Sequence, residues 1–331
     1  MKAKLIPSII NLADVEPEEV KFLWEPYIPI GKLTLLEGDP GLGKTFLALS
    51  ICAAISKGWS LPGQDSIGMQ VKNVLFMSAE DGLSDTLAPR LERMGADRSK
   101  IYCMTGWRKS EDQEQEQAFT LADISVLRIA LEKVKPIMVV IDPLQAYIGD
   151  IDLHRANETR PVMMRLAQVA EEYECAIMSI RHLSKSEGSK ALYRGIGSID
   201  LTAAARSVIL VGEEPSGKKA MAHTKSSCAE KGATLNFNIE PEKGLVWTGT
   251  SNCTVEDILA TPGRNSKDKK AELDRAIEFL NEVLSDGPVT ANEVKMQAEQ
   301  VGIKKRTLER AKTKLGFRAF SNDGTWYWPQ L

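Results

Sequence analysis

The chain has 331 residues, 43% of them hydrophobic and 26% charged, a balance that excludes a disordered or collagen-like chain and leaves room for two domains. Its formal net charge is −3, yet residue 264 onward carries 13 Lys/Arg against 10 Asp/Glu, leaving the first 263 residues at −6; any signal for an anionic partner is local. The five scattered cysteines form no CxxC pair, and no run approaches a membrane span or a leader's apolar core, so a cytoplasmic protein without disulfides, zinc or a membrane partner is expected.

Residues 1–30, punctuated by Pro7, Pro17, Pro26 and Pro29, read as a lead-in that packs on the next unit. From Gly31, short β-branched runs at 33–38, 74–79, 137–142, 175–180 and 207–212 alternate with helical patterns at 45–57, 121–134 and 161–173. Continuous apolar runs separated by helices predict buried parallel strands, hence an α/β domain over 31–250. Residues 213–249 look less regular, with LNFNIE and GLVWTG as a hairpin extending one edge of the sheet.

The polar stretch Thr261 to Lys270 places a domain linker at 251–270. Beyond it Leu273, Ala276, Ile277, Leu280, Val283 and Leu284 share one helical face, stopped by Asp286-Gly287-Pro288. Thr290 and Glu293 make a capping box for a second helix, a third spans about 305–315 with Gly316 as its cap, and FRAFSNDGTWYW supplies two strands. Residues 271–331 therefore predict a small winged helix-turn-helix domain.

The sharpest motif is Gly38-Asp39-Pro40-Gly41-Leu42-Gly43-Lys44-Thr45, between an apolar strand and the helix at 45–57, the context that defines a P-loop, and with Phe46 it makes up the candidate nucleotide-binding set. Its glycines let amides curl around a phosphate, Lys44 reaches the β- and γ-phosphates of ATP, and the Thr45 hydroxyl ligates Mg²⁺. Asp142, closing the apolar run IMVVID, is either a second holder of the metal's water shell or a strand-ending Asp before Pro143. Glu80 and Asp81 follow VLFMSA, on a strand expected to neighbour the P-loop strand; Glu80 is the candidate base for an attacking water and Asp81 a supporting metal ligand, the alternative being a solvated acidic turn.

GDPGLGKT, FMSAED, VVIDPLQAYIG, RHLSK and GSIDLTAAARSVILV occur in an order that resembles the RecA-like P-loop ATPases of the RepA-type hexameric helicase group, relatives of DnaB and KaiC, over about residues 20–250. The resemblance implies a RecA-like core, His182 as a γ-phosphate sensor, and Arg206 as a finger acting on a neighbour's ATP in a homo-oligomeric ring, with a hexamer as the family expectation. It places a second basic finger at Lys225, where the match is poor. Segments 149–160 and 184–197 resemble loops lining the channel of such rings, and Lys185, Lys190 and Arg194 become candidate contacts to single-stranded DNA.

From Lys304 to Arg318 there are seven basic residues and one acidic. Lys304, Lys305, Arg306, Arg310 and Lys314 are candidate duplex DNA contacts, while Leu308, Ala311 and Leu315 fall on a core face. Trp326 and Trp328 are expected in core packing. The leading expectation is an ATP-driven DNA motor, a ring-forming helicase or translocase of a mobile element. The alternative is an ATP-controlled DNA-binding switch, loader or regulator without translocation, with a small-molecule kinase as a distant third.

Overall fold

A computed structural model describes residues 9–64, 70–109, 116–149, 151–152, 155–183, 199–260, 264–322 and 325–330. The chain divides into two compact units, Met1–Thr261 and Pro262–Leu331.

In the first unit β1 (Phe22–Trp24) and β2 (Ile28–Pro29) form a short antiparallel pair. It carries Trp24, Tyr27 and Ile28 into the core, so the lead-in has regular structure of its own. The chain continues through β3 (Leu33–Gly38), α1 (Lys44–Lys57), β4 (Val74–Ser78), a π-helical turn at Leu83–Leu87 and α2 (Ala88–Arg93). It then passes β5 (Ile101–Cys103), α3 (Ile124–Val134), β6 (Met138–Asp142), α4 (Leu144–Tyr147), α5 (Ala156–Glu172) and β7 (Ala176–His182). α6 (Ile199–Ala204), β8 (Ser207–Glu213), β9 (Lys219–Ser226), β10 (Thr234–Glu240), β11 (Gly244–Ser251) and α7 (Val255–Ala260) complete it.

The nine strands lie in the order β11-β10-β9-β8-β3-β7-β6-β4-β5. From β8 to β5 all pairings are parallel, and β9, β10 and β11 continue the sheet antiparallel. Alternation along the strands feeds two cores: Leu36, Phe76, Val140 and Met178 pack with α1 on one face, and Leu35, Met77, Val139 and Ile177 pack with α3 and α5 on the other.

Three expectations need correction. The strand that carries Glu80 does not neighbour the P-loop strand, because β6 and β7 stand between them; strand order is set by crossovers that leave no local trace. Residues 156–160, expected in a loop, form the first turns of α5, where the Thr159 amide and hydroxyl both donate to the Arg155 carbonyl. The boundary between the two units, Thr261 to Pro262, falls inside the expected linker 251–270, but that stretch is not simply a polar connection, since it carries α7 and the start of a long helix. Ile258 and its helical neighbours Val255 and Leu259 pack with Leu183, Leu210 and Ala222, and residues 264–270 contain no helix breaker.

One pairing departs from the apolar plan. Glu37 on β3 lies directly opposite Arg181 on β7, both side chains are 1% exposed, and Arg181 Nε donates to Glu37 Oε2 at 2.8 Å. Arg181 Nη2 also donates to Thr202 Oγ1 of α6 at 2.6 Å. Removing one member strands a buried charge, which costs about 3–5 kcal/mol, whereas an apolar pair avoids both desolvations. Arg181→Met is therefore expected to lower stability by about 3–5 kcal/mol, and the double variant Glu37→Met/Arg181→Met to recover most of it; urea unfolding checks both, and a wild-type midpoint for Arg181→Met would refute the reading.

The second unit contains α8 (Arg264–Val283), β12 (Val289–Thr290), α9 (Ala291–Gln300), α10 (Lys305–Leu315), β13 (Phe320–Asn322) and β14 (Thr325–Trp328). The strands form an antiparallel sheet in the order β12-β14-β13. Thr290 Oγ1 accepts the Glu293 amide at 3.2 Å, and Gly316, with φ of 76°, ends α10 in the left-handed conformation that a side chain would disfavour. Ala276, Leu280, Val294, Leu308, Ala311 and Trp328 fill its core. Trp326, expected there, is 59% exposed. Among the described residues no helix is long and apolar enough to cross a membrane.

Candidate nucleotide site

The P-loop leaves β3 at Gly38, where a Cβ would collide with the Val211 carbonyl of β8. The loop enters α1 through Gly43, in the left-handed region at φ 98°, where a Cβ would meet Ile239 Cδ1. Both glycines are required by close approach, and together they aim the first amides of α1 into the loop's cavity.

Lys44 is 5% exposed, and its Nζ donates to the carbonyls of Gly38 and Asp39 at 2.9 Å each. Burial pulls its pKa down to about 8, against the attraction of Asp142, Asp39 and Glu80. Thr45 Oγ1 donates to Asp142 Oδ2 at 2.7 Å across 97 residues of sequence. Asp142 is pushed up to about 6, first by burial, with Asp81 and Glu80 adding to the rise and the Thr45 hydrogen bond opposing it.

β4 pairs with β6 so that Ser78 lies opposite Asp142. Glu80, just beyond the end of β4, is exposed yet near enough to bias Lys44, Asp142 and His182. Asp81, expected as a metal ligand, accepts Arg90 Nη1 at 2.7 Å, and the Arg90 guanidinium lies 4.6 Å over the Phe46 ring. Neither Arg90 contact was anticipated; only Arg90's helical position could have hinted at it.

β7, interposed between β3 and β6, sets His182 opposite Gly38. The histidine is held below its ordinary pKa by burial and then by Lys44. Its Nδ1 is buried without a hydrogen-bond partner among the described residues.

A hydroxyl and a carboxylate oxygen 2.7 Å apart are hard donors that suit Mg²⁺. Among the described residues no group of three or more His, Cys, Asp or Glu could hold a metal alone.

Arg206 stands elsewhere. Its amide donates to the Leu33 carbonyl at the start of β3, and its side chain is exposed. From Leu33 to Gly38 a strand rises about 17 Å, so Arg206 and the P-loop occupy opposite ends of the sheet. Lys225 Nζ donates to the carbonyls of Thr202, Ala203 and Ala205 at 2.8, 3.2 and 2.7 Å, capping the C-terminal end of α6. Lys185, Lys190 and Arg194 lie outside the described residues. On α10 Lys304, Lys305, Arg306, Arg310 and Lys314 are exposed, while Leu308 and Ala311 are buried. Leu273, Lys305, Arg306, Glu309, Arg310, Thr313 and Lys314 line a shallow groove of about 800 Å³.

Beside Arg206 lies a buried histidine that the sequence did not single out. His223 is 3% exposed and accepts the Gly232 amide at Nδ1, so Nε2 carries the proton and donates to Ser207 Oγ at 2.9 Å. Ser207 in turn donates to the Tyr27 carbonyl at 2.6 Å. Burial pushes the His223 pKa down to about 4, below the ordinary value of about 6.5. The unfolded chain therefore takes the proton first: the stability is complete above about pH 6.5 and declines as pH falls toward 4, by roughly 3 kcal/mol in all. Unfolding at pH 7 and pH 5 should show that decline in the wild type and a smaller one in His223→Gln; identical slopes would exclude this histidine as the cause.

A family model described as an AAA domain matches residues 2–188, more than half of the chain. Curated relatives include the DNA repair protein RadA of Streptococcus pneumoniae, 26% identical over 195 residues, or 58% of this chain and 39% of the relative. RadA of Listeria monocytogenes is 25% identical over 53% of this chain and 32% of the relative, and RadA of Mycobacterium tuberculosis 27% over 47% and 28%. The chain spans about two fifths or less of the length of these relatives. It belongs to the AAA domain family, and its larger unit has a RecA-like P-loop ATPase core.

Proposed function

We propose that this member of the AAA domain family is an ATP-driven DNA motor: a ring-forming helicase or translocase of a mobile element that hydrolyses ATP between protomers and engages single-stranded DNA. The observation that carries the reading is the division of catalytic groups between the two ends of the sheet. Lys44, Thr45, Asp142, Glu80 and His182 gather at one end, while Arg206 stands at the other, where it can serve only a second copy's nucleotide. The similarity to RadA, a DNA repair protein, and the basic α10 support DNA as the partner.

Thr45 and Asp142 are the residues that would hold Mg²⁺, which when bound neutralises charge on the transferring phosphoryl group. Lys44 leaves its two loop carbonyls for the phosphates, Glu80 orients and deprotonates water, and neutral His182 presents a ring nitrogen to the γ-phosphate. Asp81, paired with Arg90, positions the Glu80 turn. Lys225 serves as the cap of α6. The helix and strand order of the second unit supports a winged helix, with Lys304, Lys305, Arg306, Arg310 and Lys314 offered to duplex phosphates and base edges.

ATP hydrolysis measured with and without single-stranded DNA tests this reading. The motor predicts at least about tenfold stimulation, together with directional strand displacement. DNA-independent turnover despite tight ATP binding would instead favour a DNA-bound switch or loader.

A further inference from the structure

β14 carries aromatic residues in opposed environments. Trp328 is 1% exposed, meets Phe317 edge-on at 5.6 Å, and receives Lys312 Nζ 4.8 Å from its ring centroid. Trp326, two residues earlier and so on the same strand face, is 59% exposed. On the other face Tyr327 stacks on Phe320 at 5.9 Å with the planes 23° apart. The core thus ends at Trp328, and Trp326 extends the α10-facing side of the strand into solvent as an apolar plane.

The neighbouring Trp328 on this face is met by Lys312 of α10, and the stretch that contains that helix, Lys304 to Arg318, holds seven basic residues and one acidic. A small unit that offers both an apolar plane and a basic helix is complementary to a nucleic acid, whose backbone meets the charge and whose bases offer a π-face. Within a duplex those faces are covered by neighbouring bases and only edges reach the grooves. A face is free where the stack ends.

We propose that Trp326 stacks on the base exposed at a duplex terminus or a duplex–single-strand junction, so that the second unit recognises where a duplex ends. The inference rests on the reading of that unit as DNA-binding. It deepens that reading by naming the DNA structure bound: α10 holds the backbone, and Trp326 reports the end of the stack.

The test uses the full chain and three DNAs: a forked duplex with 2-aminopurine at its last pair, the same fork with 2-aminopurine in mid-duplex, and a covalently closed duplex circle. Anisotropy follows binding and 2-aminopurine intensity follows stacking. The wild type should change the intensity of the junction probe and leave the mid-duplex probe unchanged. Trp326→Ala should lose that signal and about tenfold in fork affinity, without losing affinity for the circle. Trp326→Phe should retain most of both, and Lys305→Ala/Arg310→Ala should weaken fork and circle alike. The inference is overturned if Trp326→Ala binds the fork as the wild type does, keeps the junction signal, or weakens fork and circle equally, the last marking a sugar–phosphate contact. Absence of binding to every DNA overturns the DNA-binding reading itself, and this inference with it.

Discussion

Lys44→Ala protein is expected to fold and to lose ATP hydrolysis by about 10²- to 10³-fold, the effect of deleting one preorganised group aimed at developing charge. The magnitude follows from where the cation sits. Lys44 is almost fully buried, and its charge is surrounded by Asp142, Asp39 and Glu80. Alanine removes the Lys44 charge that helps to hold the Asp142 pKa down, so the Asp142 carboxyl should climb further and hold a divalent cation less well. The fold should tolerate the change, because the Gly38 carbonyl also accepts the Leu183 amide at 3.4 Å and Asp39 is only half-buried, and the loss is about 1–3 kcal/mol. Steady-state turnover beside a thermal unfolding curve decides it. Turnover within about threefold of wild type would remove Lys44 from the transition state.

Arg206→Ala should slow hydrolysis by about 10³-fold while leaving ATP binding intact, and Arg206→Lys should not restore the rate, since an ammonium lacks the planar fork of guanidinium. Arg206 is anchored by its amide to Leu33 and by its carbonyl to the Ser227 amide, a strand length of about 17 Å from its own P-loop. A single chain therefore cannot bring this guanidinium to its own nucleotide without dismantling the sheet. Titrated ATP binding and single-turnover hydrolysis separate the two effects. Equal losses in binding and rate would instead mark a group that supports the fold around β8.

The P-loop was legible because its chemistry is written in consecutive residues: glycines at the positions where β8 and β10 approach, then Lys44 and Thr45. The capping box at Thr290 and the stop at Gly316 were legible for the same reason. Thr45 and Asp142 meet because parallel strands bring their C-terminal ends to one edge. The order of those strands was not legible, and the placement of Glu80 next to the P-loop strand failed there. The charged stretch after Thr261 suits linker and helix equally, and its continuation into the Leu273–Leu284 face decides for helix. Glu37 and Arg181 were overlooked although each interrupts an apolar run; two opposite charges in neighbouring buried strands are a usable signal for an internal ion pair. Trp326 shows the limit of composition: a tryptophan two residues from a core tryptophan shares its face but not its burial.

Hydrolysis by mixed protomers tests the central claim most directly. Glu80→Ala lacks the base and Arg206→Ala lacks the finger, so either protein alone should be near the Lys44→Ala blank in the presence of single-stranded DNA. An equal mixture should regain activity, since about one interface in four of a randomly mixed ring would pair an intact Glu80 with an intact Arg206. A mixture no more active than the sum of its separate components would contradict sites shared between protomers.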